Sequence, residues 1–258
     1  MANNSPTGGA LTSQSGAAMR APFCYVDDIH KRFGRRRYGD AVSQKWGDYL
    51  LTPENLDEAI ERTPWSRWAG KETMMSSTHD PYLPKLAASA RKILEHALPA
   101  GLRVCLQTRS FLVTKDFDML AAYPEQLRLQ VSIARMDRDF ARLIEPRVPL
   151  PEARVEILRR AREAGIPTGV ILAPIFPPTT ARPDAIADLG AMAQALEDIE
   201  PDHIYGESLH VRGQNIRLLE GALGERVRVT AGFDKGIAKV FHRELRKSGL
   251  AGVWWPER

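Results

Sequence analysis

Short apolar runs alternate along this chain with stretches whose apolar residues recur at helical spacing, and that alternation limits the fold more than any other feature. Thr73-Met74-Met75-Ser76-Ser77 precedes a helical pattern from Leu86 to Leu98, in which Leu86, Ala90, Ile93, Leu94 and Ala97 share one face and Gly101 follows as a stop. Leu102 to Thr108 reads as the next strand. A helix near Asp116 to Tyr123 leads to Leu127 through Ile133, and Pro151 opens a helix whose Val155, Leu158, Ala161 and Ala164 form a stripe ended by Gly165. Thr168 to Ala173 and Asp202 to Tyr205 are further strands, separated by a helix that starts at Asp184 and carries Ile186, Leu189, Met192 and Leu196 inward. The last helix spans Asp234 to Ser248 through Ile237, Phe241 and Leu245. One helix per crossover forces neighbouring strands to run parallel, and right-handed crossovers coil such a sheet toward a barrel. About six strands fall short of the eight of a closed TIM barrel. The expected fold class is therefore α/β, a partial (β/α)6 barrel, with ligands at the carboxyl ends of the strands.

At 258 residues and 43% hydrophobic, the chain can build one large core. A single domain over 17–258 is expected, behind a Ser, Gly, Asn and Thr rich tail over 1–16 that reads as flexible. No stretch approaches the ~18 apolar residues of a membrane span, and no basic segment leads into an apolar one at the start, so a soluble protein without a membrane partner is expected. Two cysteines argue against a disulfide framework and for a reducing cytoplasm. The net charge of +4 is partly concentrated in Lys31-Arg32 and Arg35-Arg36-Arg37. Such a cluster is either a solvated loop or a contact for the phosphates of a nucleic acid, and no zinc-finger, RRM or helix-turn-helix pattern accompanies it.

The chemistry concentrates in Gly16-Ala17-Ala18-Met19-Arg20-Ala21-Pro22-Phe23-Cys24-Tyr25-Val26. Counting back from Cys24 by three and by seven reaches Ala21 and Ala17, the positions of the other two thiolates in a CxxxCxxC loop. Iron–sulfur clusters are held by cysteine thiolates, and one cysteine does not hold a [4Fe–4S] cluster. Cys105 lies in an apolar, β-branched run and reads as a core thiol.

Tyr25-Val26-Asp27-Asp28-Ile29-His30 and several strand ends further along resemble the radical S-adenosylmethionine (SAM) superfamily, within it the branch related to spore photoproduct lyase. Ser76-Ser77-Thr78-His79-Asp80-Pro81-Tyr82 is similar to that branch's Thr-Asp-Pro-Tyr segment after the second strand, which implies that Ser77, His79 and Asp80 meet the amino end of SAM. The plainer reading is that Asp80-Pro81 caps a helix. Thr108-Arg109-Ser110 resembles a Thr-Lys-Ser segment at the end of the third strand, with Arg109 as the cation for the SAM carboxylate. Val131-Ser132-Ile133 matches the fourth-strand segment whose serine faces the ribose or methionine part. Glu145-Pro146-Arg147 and Arg154 match the block that follows, or are helix-end pairs on the surface, the reading preferred for Arg147. Leu172-Ala173-Pro174-Ile175-Phe176-Pro177 resembles the segment that backs the adenine, with Pro174 in its wall, and the backbone of Phe23 is implied to approach the same ring. Tyr205-Gly206-Glu207-Ser208-Leu209-His210-Val211-Arg212-Gly213 resembles a Glu-x-Leu-Asn-x-Arg-Gly segment, which implies that Glu207, His210 and Arg212 border the substrate.

The resemblance implies an enzyme with a [4Fe–4S] cluster that reductively cleaves SAM to a 5′-deoxyadenosyl radical for hydrogen abstraction. Its partners are SAM, an electron donor such as flavodoxin or ferredoxin, and a substrate that the sequence does not name. Cys24 would be the surviving metal ligand, with Ala17 and Ala21 where the others belong. This chain is thus expected to be a cluster-deficient form, by removal of ligands or by drift into a pseudoenzyme. The alternative is a non-catalytic barrel that binds SAM, a nucleotide or a nucleic acid. Repair of a spore photoproduct is not expected, because the resemblance implies one more cysteine as hydrogen donor, and only Cys24 and Cys105 exist. A TIM-like phosphate enzyme would need a late glycine-rich loop, for which Thr230-Ala231-Gly232-Phe233-Asp234 is a faint candidate.

Overall fold

The computed structural model describes residues 11–14, 21–24, 26–44, 47–76 and 79–255. Its centre is a six-stranded parallel sheet in sequential order: β3 (Glu72–Met75), β4 (Arg103–Thr108), β5 (Leu127–Ser132), β6 (Thr168–Ile175), β7 (His203–Ser208) and β8 (Val253–Trp254). A separate antiparallel pair joins β1 (Leu11–Gln14) to β2 (Leu50–Pro53). The helices are α1 (Val26–Ile29), α2 (Arg35–Tyr38), α3 (Leu56–Arg62), α4 (Ala87–Ala97), α5 (Phe117–Leu120), α6 (Arg138–Ile144), α7 (Pro151–Glu163), α8 (Ala185–Leu196), α9 (Asn215–Leu223) and α10 (Ala231–Lys247). Parallel strands in strictly sequential order leave every crossover turning the same way, so the sheet curls into the partial (β/α)6 barrel expected from the alternation.

Side chains alternate across each strand. Leu106, Leu129, Val131, Val170 and Leu172 are fully buried and join Leu94, Leu158, Leu189 and Phe241 of the helices in one continuous core. Each such burial is worth roughly 1.5–3 kcal/mol. The alternate residues Gln107, Ser132, Tyr205 and Glu207 are half-buried, on the concave side of the sheet. A second, smaller core of Ala134, Phe140, Ile144, Phe176, Leu209, Leu219 and Val227 covers the exits of β5, β6 and β7, and Phe23 packs against it. This end is the mouth of the barrel.

The elements depart from the sequence reading in four places. Leu11–Gln14, within the stretch read as a tail, pairs with Leu50–Pro53. The resemblance counts the strand before Asp80 as the second, whereas among the described residues that strand, β3, is at the edge of the sheet and the sixth strand is β8, near the other end of the chain. Two residues are too short for periodicity to reveal, and β8 is held by packing: Trp254 is 1% exposed and lies over Gly206, where a Cβ would come within 2.8 Å of it. The helix expected near Asp116 to Tyr123 is a single turn, α5, preceded by a 3-10 turn over Phe111–Asp116. The basic run is helical rather than a loop, because Asp27 and Asp28 sit four residues before Lys31 and Arg32 and pair with them at 2.7 Å each.

Candidate functional site

The cysteine turn reaches the mouth from outside the sheet. Cys24 N donates to the Ala21 carbonyl at 3.0 Å, and the Phe23 ring meets Phe176, just beyond β6, edge-on at 5.1 Å between centroids. Burial pushes the Cys24 thiol up, although the backbone N–H groups of Val26 and Asp27 and the charge of Arg109 work against it. The next segment, α1, is locked to the exit of β7 through Gly213. That residue has φ +58°, and a Cβ there would lie 2.5 Å from Asp28 Cγ.

The donor set does not fit a [4Fe–4S] cluster. Ala21 is buried and brings no ligand, and position 17 lies outside the described residues. The second thiol, Cys105, faces the concave side of β4 and donates to Gln130 Oε1 at 3.1 Å, half-buried rather than sealed in the core. Among the described residues no group of three or more His, Cys, Asp or Glu side chains is placed to hold a metal ion.

Asp80, expected to meet an ammonium group, uses both oxygens to tie β3 to β4. Its Oδ1 accepts from Thr108 Oγ1 at 2.7 Å and from Tyr82 N at 2.9 Å, and its Oδ2 accepts from Arg109 N at 2.7 Å. It does not cap α4, which begins only at Ala87. Arg109 is not a free cation either: its guanidinium donates to Glu145. Glu145 is 2% exposed, and its other oxygen accepts from Arg154 at 2.7 Å. Burial alone would raise the Glu145 carboxyl, but Arg135, Arg109 and Arg154 outweigh it and hold the group well below the usual carboxylate range. The Glu145 and Arg154 block is therefore an interior network and not a surface pair, while Arg147 is exposed.

Arg135 completes this cluster and differs from its neighbours. It is 1% exposed and lies over the rings of Phe176, Phe23 and Phe140 at 4.8, 5.5 and 5.8 Å. Its Nη1 approaches Glu145 Oε2 at 3.2 Å, yet among the described residues Nε, Nη1 and Nη2 all lack a hydrogen-bond partner. Burial, with the like charges of Arg154, Arg182 and Arg109, pushes its pKa down to about 10 against the pull of Glu145. The signal for Arg135 was an arginine in Ile133-Ala134-Arg135-Met136, directly after a strand, and pattern reading passed over it.

Ser132 Oγ donates to the Ala173 carbonyl at 3.3 Å, and Pro174 follows Ala173 through a cis bond, so both stand at the same rim. At the exit of β7, Glu207 Oε1 accepts from Arg212 Nη2 at 3.0 Å and lies 3.5 Å from His210 Nε2, which gathers the three residues expected on the substrate side. His79 is exposed and shares a 3.2 Å contact with Ser76 Oγ. Ser77 lies outside the described residues. Thr230 caps α10, and Asp234 in the first turn accepts from Ser208 Oγ at 2.6 Å, so that helix start already carries a carboxylate and is no phosphate cradle.

The solved structures this chain resembles include spore photoproduct lyase complexed with dinucleoside spore photoproduct, with a TM-score of 0.65 at 16% identity over 94% of this chain and 74% of that one. SuiB of Streptococcus suis bound to S-adenosylmethionine gives a TM-score of 0.60 at 8% identity, over 93% of this chain and 48% of that one. Among sequences, the chain is 52% identical over 251 residues to the uncharacterized protein ORF301 of Acidianus two-tailed virus, covering 97% of this chain and 83% of that protein. It is 26% identical over 164 residues to the uncharacterized protein MJ0683 of Methanocaldococcus jannaschii, covering 63% and 58%. The profile of the Radical SAM superfamily matches residues 12–190, from β1 through the mouth cluster and into α8, and the chain belongs to that superfamily.

Proposed function

We propose that this chain is a SAM-binding barrel of the spore photoproduct lyase-like type whose cluster site has lost two of three ligands, so that it binds SAM without reductively cleaving it. The observation that supports the reading is a cysteine turn at the mouth that carries one thiol, Cys24, and an alanine at position 21. Phe23, Ser132 and Pro174 stand at the strand exits, but position 21 offers a methyl group where a thiolate belongs. Asp80 and Arg109 act as scaffold in this reading, because their polar atoms already join β3, β4 and Glu145. Glu207, His210 and Arg212 border the substrate, whose class stays open: the resembled structures carry a dinucleoside in one case and a precursor peptide in another.

The test is to restore cysteine with Ala17→Cys and Ala21→Cys. The double variant should turn brown on anaerobic reconstitution and release 5′-deoxyadenosine from SAM with dithionite, while the unmodified chain binds SAM and releases none. A colourless, inert double variant that still binds SAM would favour the purely non-catalytic barrel. No helix among the described residues is long and apolar enough to cross a membrane.

A further inference from the structure

Four arginines cluster around the mouth, three of them buried and Arg109 half-buried, and all but Arg135 donate a hydrogen bond to a carboxylate. Arg109 and Arg154 donate to the two oxygens of Glu145, and Arg182 donates to Asp188 at 3.1 Å and to the Phe176 carbonyl at 2.6 Å. Arg135 is the exception. Its Nη1 lies 3.2 Å from Glu145 Oε2 as an ion pair but makes no hydrogen bond to it, since Glu145 takes its hydrogen bonds from Arg109 and Arg154, and none of the Arg135 nitrogens has a hydrogen-bond acceptor among the described residues. Stacking against Phe176, Phe23 and Phe140 compensates the charge but not the N–H groups, which point in the plane of the guanidinium where no ring lies. A buried cation in this condition is costly. The hydrogen bonds of Glu145 do not depend on it, since Arg109 and Arg154 supply both. The cover on one side of Arg135 is Phe23, which belongs to a turn outside the sheet and is itself partly exposed.

We propose that Arg135 is a ligand-binding residue that takes an oxyanion, a carboxylate or phosphate-type group, carried by the ligand that enters the mouth and displaces the Phe23 ring. A planar fork of N–H donors suits a carboxylate or phosphate edge, and the buried setting strengthens the contact. Two sources supply that chemistry: the carboxylate of SAM, which rests on the SAM-binding reading above, and an anionic group of the substrate, which does not.

The experiment compares the unmodified chain with Arg135→Gln and Arg135→Lys by calorimetric titration and by melting of the ligand-free protein. Three probes are used: S-adenosylhomocysteine, 5′-methylthioadenosine, which lacks the amino-acid carboxylate, and inorganic phosphate. Arg135→Gln should weaken S-adenosylhomocysteine at least tenfold, leave 5′-methylthioadenosine unchanged, and melt no lower than the unmodified chain. Arg135→Lys, which keeps the charge without the fork, should fall between the two. If S-adenosylhomocysteine is unaffected but phosphate raises the melting temperature of the unmodified chain and not of Arg135→Gln, the oxyanion belongs to the substrate. If neither adenosine compound binds the unmodified chain, the SAM reading fails while the phosphate comparison still decides the role of Arg135. Equal weakening of both adenosine compounds, no change with any probe, or a clear drop in melting temperature would make Arg135 structural and overturn the proposal.

Discussion

At the β3–β4 corner of the mouth, Asp80, Thr108, Arg109 and Glu145 form a closed set in which each carboxylate oxygen accepts at least one hydrogen bond. At the β5–β6 corner, Arg135 sits among Phe23, Phe140 and Phe176 with three nitrogens that have no hydrogen-bond acceptor among the described residues. Both corners are buried, both hold arginine, and they share Glu145. The difference teaches how to separate scaffold from site. Saturated polar groups fix the strand exits relative to one another, whereas an unsaturated one is left for something that arrives.

The largest expected effect breaks the saturated corner. Glu145→Gln leaves the buried Arg135 and Arg154 and the half-buried Arg109 without their anion and should cost about 3–5 kcal/mol in urea unfolding at neutral pH; a loss below ~1 kcal/mol would mean that the arginines are solvated. The same carboxyl sets an acid limit. Its folded pKa lies below the unfolded one, so the unfolded chain binds more protons, and the stabilisation is present above the usual carboxylate range and lost as pH falls below it. Urea midpoints from pH 6 down to pH 3 should fall more steeply in the unmodified chain than in Glu145→Gln.

Leu129→Ala, on the helix-facing side of β5 and fully buried, should cost about 2–5 kcal/mol by leaving a cavity. It should not change the affinity for S-adenosylhomocysteine measured in the folded protein. A matching loss of affinity would show that core and mouth are coupled and would blur the contrast between the corners. Asp80→Asn removes one acceptor oxygen from the strand tie and should cost roughly 1–3 kcal/mol. Unchanged stability would return Asp80 to the ligand side, as the resemblance implies. At the small end, Arg32→Ala deletes an exposed pair with Asp28 and should shift stability by no more than about 0.5 kcal/mol.

The order of strands and helices was legible because each buried strand and each amphipathic helix writes its own period into the chain. α7, α8 and β5 fall within a few residues of their expected bounds. β8 was not legible, since two residues carry no period and Trp254 owes its place to Gly206 and Phe241. In the candidate site, the strand-end residues were singled out through resemblance. The partners of Asp80 and Arg109 were not legible, because a sequence shows that a charge is present but not which group 29 or 36 positions away bonds to it. Arg135 was missed for the converse reason: what marks it is the lack of a hydrogen-bond acceptor among the described residues, which only three dimensions reveal.

The cluster-site claim is tested most directly by counting iron. After anaerobic reconstitution with iron and sulfide and removal of the excess, the unmodified chain should keep far less than one cluster per chain, and the Ala17→Cys, Ala21→Cys double variant should keep about four irons with matching sulfide. An unmodified chain that retains a full cluster would show that other groups replace the two missing thiolates, and would contradict the account.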